Sequence, residues 1–241
     1  MNSKKFCFIS FCFLLLFCCN EEQKLVFVDS NITTEHNTLV EVIIPTATGD
    51  NNSIVSSINS DITNEVIKAL HTGGSETITS KSIEESIITF NEEFTAFKLD
   101  FPESPQPWEA QIDGEIMHQS PEIISMSITS YINTGGVQGS LNISFLNYDT
   151  KTGQRIKNID LFKNIEGFKE IAKQYFENTL ENKDNAFDVN GFELPENIGY
   201  IDEGVILLYN AYEIAPYASD IIEFTIPFEK VNAYLNFDSA Q

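Results

Sequence analysis

Trp108-Glu109-Ala110-Gln111-Ile112-Asp113-Gly114-Glu115-Ile116 is the stretch that decides the fold. Trp108, Ala110, Ile112, Gly114 and Ile116 alternate with Glu109, Gln111, Asp113 and Glu115. That period of two is the mark of a β-strand, here with one apolar face and one strongly acidic face. The alternation resumes through Ile124, Met126, Ile128, Ser130 and Ile132. Thr134-Gly135-Gly136 follows, and its glycines permit the positive φ angles of a hairpin turn. A further strand then presents Val137, Gly139, Leu141, Ile143 and Phe145, and Asn147 to Gly153 forms another turn.

Upstream, Thr38 to Pro45 reads as a strand ending at a proline. Ile54, Ile58, Ile62, Val66 and Leu70 have helical spacing, with Gly73-Gly74 placed to close the helix. Ser82-Ile83-Glu84-Glu85 is a capping-box pattern that opens a second helix with the stripe Ile83, Ile87, Phe90, Phe94 and Phe97. A row at this spacing packs into a core more often than it lines a ligand groove. Pro102, Pro105 and Pro107 end that helix. Downstream, Ile165, Phe168, Ile171, Ala172, Tyr175 and Leu180 mark a third helix, and Glu181 to Asn190 is loop-like. Strands return at Val205 to Tyr209 and at Ile222, Phe224 and Ile226 before Pro227. The sum is an α+β fold: antiparallel sheets with about three helices packed on them, in one or two small subdomains.

The first segment speaks to the compartment. Lys4 and Lys5 precede an apolar run, Phe6 to Phe17, that only Ser10 interrupts. The run suits the h-region of a signal peptide and falls short of the roughly 20 residues a membrane-spanning helix needs. Leu16-Phe17-Cys18-Cys19 matches a lipobox, so residues 1–18 are expected to be removed and Cys19 to be lipidated, with an uncleaved anchor as the alternative. All four cysteines lie in this segment, which leaves the rest no disulfide framework, thiolate nucleophile or cysteine metal site. Residues 19–37 are expected to be a tether, 38–135 an N-terminal α+β domain and 136–241 a C-terminal one. Asn20-Glu21-Glu22-Gln23 reads either as an export signal to the outer face of an outer membrane or as a solvated spacer.

The chain has 14 basic and 36 acidic residues, a net charge of -22. Without residues 1–18, which hold Lys4 and Lys5 and no acid, 12 basic residues face 36 acidic ones and the charge is -24. Such a body repels nucleic acid and draws cationic partners. Between Lys81 and Glu122 only those two positions' region cations, Lys81 and Lys98, offset ten acids, whereas six of the 12 remaining basic residues lie from Lys151 to Lys173.

Recognisable catalytic patterns are few. His36, His71 and His118 stand far apart without zinc spacing and read as surface or loop residues. Asp184 to Asn190 has acids and amides but not the EF-hand order. Gly135 to Gly139 lies between strands and does not open a helix, so it is no phosphate cradle. A glycosidase-like carboxylate pair is open to any chain with 36 acids, yet nothing singles one out. No cofactor or metal is expected. Tyr209, Tyr212 and Tyr217 either stack on sugars or a protein partner, or form a packed strand corner.

Several stretches together resemble a known family. They are Tyr131-Ile132-Asn133-Thr134-Gly135-Gly136-Val137-Gln138-Gly139, Asn147 to Gly153, Asp160-Leu161-Phe162, Tyr212 to Ala218 and Ile226-Pro227-Phe228. Their order is similar to the paired domains of unknown function shared by RsiV, a lysozyme-sensing anti-sigma factor, and PdaC, a peptidoglycan deacetylase. The resemblance spans about Leu39 to Leu235 and makes 136–241 the RsiV-like half. Val137 and Gln138 depart from the family's usual Gly-Gly-Ala-His-Gly turn, and Asp220 stands where glycine is common. The resemblance implies this fold and binding to a cationic muramidase such as lysozyme, or to cell-wall glycan. With the lipobox, the charge and the lack of a catalytic pattern, the expectation is a non-catalytic envelope lipoprotein touching the membrane through its lipid alone. The candidate binding residues are Tyr131, Asn133 and Gln138 in the glycine turn, and Tyr209, Tyr212 and Tyr217. Anti-sigma and deacetylase functions are not expected to carry over. The alternatives are a glycan hydrolase with an unrecognised carboxylate pair and a structural assembly subunit.

Overall fold

The structure is a computed structural model that describes residues 25–73, 77–104, 108–136, 138–180, 191–214 and 221–237. The expected signal peptide, Cys19, residues 20–23, the segment 184–190 and Tyr217 lie outside the described residues.

Two sheets carry the fold. The first has the order β1 (Val26–Asn31), β2 (Val40–Thr48), β3 (Glu109–Gln119), β4 (Ile123–Asn133) and β5 (Ser140–Asp149). Its neighbours are antiparallel except β2 and β3, which run parallel from Val40↔Ala110 to Ile43↔Asp113. A parallel pair needs a crossover, and α1 (Asn52–Leu70) and α2 (Ile83–Asp100) supply it. The second sheet is the antiparallel set β6 (Asn197–Ile201), β7 (Gly204–Tyr209) and β8 (Ile222–Pro227). Against it packs α3 (Ile165–Leu180), and the short α4 (Phe228–Val231) follows β8. The α+β architecture with mostly antiparallel sheets is as the sequence indicates.

The alternation in β3 and β4 works as the pattern requires. Ala110, Ile112, Ile124, Met126 and Ile128 are buried against Ile58, Ile62 and Val66 of α1 and Ile87 and Phe90 of α2. Asn51 caps α1 through Ser53 N and Ile54 N, and Ser82 caps α2 through Glu85 N. The stripe of α2 is core: Phe90 and Phe97 lie 5.5 and 5.4 Å from the Trp108 ring. A second core gathers Phe168, Ala172, Phe176 and Leu180 of α3 against Tyr200, Val205, Leu207 and Phe224.

Four expectations need correction. The tether expected over 19–37 contains β1, which adds to the free edge of β2 and sends Phe27 into the first core. The strand expected to stop at Pro45 runs on to Thr48: its pairing with β3 ends at Ile43, while pairing with β1 continues. The division expected at 135/136 falls inside the β4–β5 hairpin, whose arms pair from Ile132↔Ser140 to Ile123↔Asp149. His118, read as a surface or loop residue, lies on β3 and is buried beside Tyr200 and Phe228, with Nδ1 3.4 Å from Asp202 Oδ1.

The sheets are joined by more than apolar contact. Phe145, Ile206 and Leu208 form a small shared core with Met117 and Ile143 beside them. Phe145 N donates to Asn197 Oδ1 at 2.8 Å, Asn147 Nδ2 donates to the Ile198 carbonyl at 2.7 Å, and Tyr200 N donates to Ser125 Oγ at 3.0 Å. β6 comes so close that a Cβ at Gly199 would lie 2.8 Å from the Met117 methyl.

Candidate functional site

Even-numbered residues of β4 and β5 face α1. Toward one end of the sheet they are apolar and buried: Ile124, Met126, Leu146 and Tyr148. Toward the other end they become polar: Ser130 on β4, and Ser140, Asn142 and Ser144 on β5. The register sets Ser130 opposite Asn142, Ile128 opposite Ser144 and Ile132 opposite Ser140. Above them α1 ends at Leu70, and His71 serves as its C-cap. The result is a cleft of about 400 Å3. Glu65, Lys68, His71 and Thr72 line its helix side, Ile128, Ile132 and Ala69 contribute apolar surface, and the β5 residues bring hydroxyls and a carboxamide.

The polar groups are partly engaged. Ser130 Oγ donates to the Asn142 carbonyl at 3.3 Å, and Asn142 Nδ2 donates to Ser144 Oγ at 3.4 Å, both long and readily exchanged for a ligand. Thr72 Oγ1 donates to the Glu93 carboxylate of α2. His71 Nε2 is buried and makes no hydrogen bond among the described residues. Arg155 Nη1 reaches Glu65 Oε1 at 2.7 Å and Asp61 Oδ2 at 3.7 Å. Tyr148 OH donates to Asp61 Oδ2 at 3.0 Å, and its burial, then the Asp61 charge, push this phenol far above the ordinary tyrosine range. Glu65 is therefore an acceptor held in place by a guanidinium.

The residues expected to bind do not share this site. Tyr131 and Asn133 are odd-numbered on β4 and belong to the opposite face. Asn133 Oδ1 accepts from Gly135 N at 2.9 Å and so shapes the turn, while Gln138 is exposed within it. Tyr209 is buried, with its hydroxyl donating to the Glu193 carbonyl at 2.6 Å and its ring 5.3 Å from Phe176. It is the packed corner of the two readings. Tyr212 is 58 % exposed with φ of 66°, in a loop pinned where Glu213 accepts from Glu196 N and Asn210 N. The cleft was legible in one detail: Ser130 interrupts the apolar row of β4, and Ser140, Asn142 and Ser144 precede Leu146 and Tyr148 in the same phase. Among the described residues no three His, Cys, Asp or Glu side chains gather as metal ligands would, and no helix is long and apolar enough to cross a membrane.

Comparison with known proteins covers both halves. A family model described as Deacetylase PdaC matches residues 32–141, and one described as Protein of unknown function (DUF3298) matches residues 155–229. The chain is an RsiV/PdaC-like domain pair. Crystal structures of DUF3298 family proteins from Pseudomonas aeruginosa and Bacteroides fragilis share its fold, each with a TM-score of 0.57. They are 17% and 18% identical to it, over 89% of this chain and 94% of each of theirs. No curated protein matches. Within the RsiV/PdaC-like pair, the cleft is built mainly by the PdaC-like segment, and Arg155, the first residue of the DUF3298 segment, holds Glu65 at its side.

Proposed function

We propose that this RsiV/PdaC-like pair is a non-catalytic, extracytoplasmic binding module, lipid-anchored through Cys19 at the outer membrane and exposed at the cell surface. The ligand of its cleft is a segment of peptidoglycan-type glycan. One observation carries the reading: the cleft sets the hydroxyls and carboxamide of Ser140, Asn142 and Ser144 beside the apolar side chains of Ile128, Ile132 and Ala69. A sugar ring has the matching division, with hydroxyls on its rim and carbon-bound hydrogens on its faces, and binding sites of this size pair an apolar lining with a few polar groups. Binding is favoured over hydrolysis because glycosidic cleavage uses two carboxylates, whereas the cleft lining holds Glu65, which Arg155 engages.

Calorimetric titration with soluble glycan strands tests it. We expect binding in the micromolar range, weakened about tenfold by Asn142→Ala, the equivalent of 1.4 kcal/mol. No affinity for any strand, or full affinity in the variant, sinks the reading. A second reading, capture of a cationic muramidase such as lysozyme, draws on the exposed acids Glu109, Asp113 and Glu115 of β3. Titration with a C-type lysozyme separates the two, since charge-led binding weakens with salt and does not depend on Asn142.

A further inference from the structure

We infer that the cleft is selective for uncharged saccharide over its ammonium-bearing counterpart, and that Lys68 is the residue that enforces the choice. The inference rests on the glycan reading of the same cleft and adds the charge class of its ligand.

A chain with a net charge of -22 attracts cations at long range. An acidic body with an ordinary polar cleft would therefore hold an amino sugar more tightly than its acetylated form. The cleft departs from that background. Its lining contains one carboxylate, Glu65, and one ammonium, Lys68. Arg155 sits 2.7 Å from Glu65 and also faces Asp61, so the two acids and the guanidinium form one group at the side of the cleft. Glu93 of α2 is engaged by the Thr72 hydroxyl of the lining. The end of α1 contributes carbonyl oxygens with partial negative charge, and Lys68, in its last turn, offsets them. Lys68 lines the cleft from an exposed position and, among the described residues, has no carboxylate within 4.0 Å to neutralise it. An incoming ammonium meets Lys68, and its hydration is not replaced by a free carboxylate. An acetamido group meets Asn142, which can both donate and accept, and the apolar surface of Ile128, Ile132 and Ala69, which suits its methyl.

The test compares three ligands with the purified protein: the β-1,4-linked trimer of N-acetylglucosamine, the same trimer with free amines, and an oligosaccharide of uronic acid. The acetylated trimer should bind tightest, and its affinity should change by less than about threefold between roughly 50 and 300 mM salt. The free-amine trimer should bind at least about tenfold more weakly once salt screens the long-range field. Lys68→Glu, a change at an exposed helix position, should reverse the preference, with circular dichroism checking that the fold persists. Tighter binding of the free-amine or the acidic sugar by the unaltered protein overturns the inference and leaves the glycan reading standing, as does a Lys68→Glu variant with unchanged preference. Failure of all three sugars to bind removes the glycan reading, and the inference with it.

Discussion

Tyr200 illustrates how a single buried group couples the fold to pH. Its ring is fully buried between the sheets, its hydroxyl finds no hydrogen-bond partner among the described residues, and burial, then the charge of Glu122, raise the phenol well above 10.0. Tyr148 and Tyr209 are shifted the same way, mainly by burial. In the unfolded chain each phenol ionises near 10.0, whereas the folded protein keeps it protonated to higher pH. Stability is therefore complete below pH 10 and declines above it, by about 1.4 kcal/mol per pH unit for each tyrosine. Urea midpoints across that alkaline range should fall steeply in the unaltered protein and less steeply in Tyr200→Phe. At neutral pH the same variant should be at least as stable as the parent, because it removes a buried hydroxyl without a partner. A marked loss at neutral pH would mean that the hydroxyl is bonded after all. Gly153 makes the opposite case: its φ is +67°, and a Cβ there would lie 2.8 Å from the Ile54 carbonyl oxygen. Gly153→Ala should cost about 1–3 kcal/mol in denaturant unfolding, and an unchanged midpoint would refute the strain.

Among the elements, those with a clean period were legible, and so was β7, buried throughout, by its unbroken apolar run, whereas β6 was not. β3 and β4 declare themselves by alternation because one face of each meets the helices, and α1 and α2 do so by their apolar stripes. β6, Asn197-Ile198-Gly199-Tyr200-Ile201, has no alternation to detect, since its first four residues are all buried and Gly199 is there for close approach to the first sheet. β1 is short, polar at its far end and follows the expected tether, so its membership depends on an edge that only the folded β2 offers. The candidate cleft was hidden for a related reason: Ser130 and Asn142 meet only through the register of the hairpin. β5 also bears the junction. Asn147 takes a hydrogen bond from Ser125 Oγ and gives one to the Ile198 carbonyl, inside a region without solvent. Asn147→Ala leaves those groups buried and unbonded and should lower stability by about 1–3 kcal/mol. A loss within a few tenths, measured by urea denaturation, would show that water or neighbours replace the amide.

At the scale of the whole molecule, the two family segments do not correspond to two independent bodies. Ile123 begins β4 of the first sheet yet packs in the second core, and Arg155, from the second segment, braces Glu65 and Asp61 of α1. Asn210 folds back on the edge of β5, accepting from Ile143 N at 2.9 Å and donating to its carbonyl at 2.8 Å. Phe145, Ile206 and Leu208 exclude water from the seam between the sheets. Separating the halves would therefore uncover apolar surface and break buried hydrogen bonds together, which is what makes unfolding cooperative. Scanning calorimetry should give one transition with equal calorimetric and van't Hoff enthalpies. Phe145→Ala, which opens a cavity at the seam, should destabilise the protein by about 3–5 kcal/mol. If the seam is the coupling, this variant should also begin to split the transition, the second sheet with α3 melting apart from the first. Two transitions in the unaltered protein would instead mean that each core folds on its own and that the seam merely docks them.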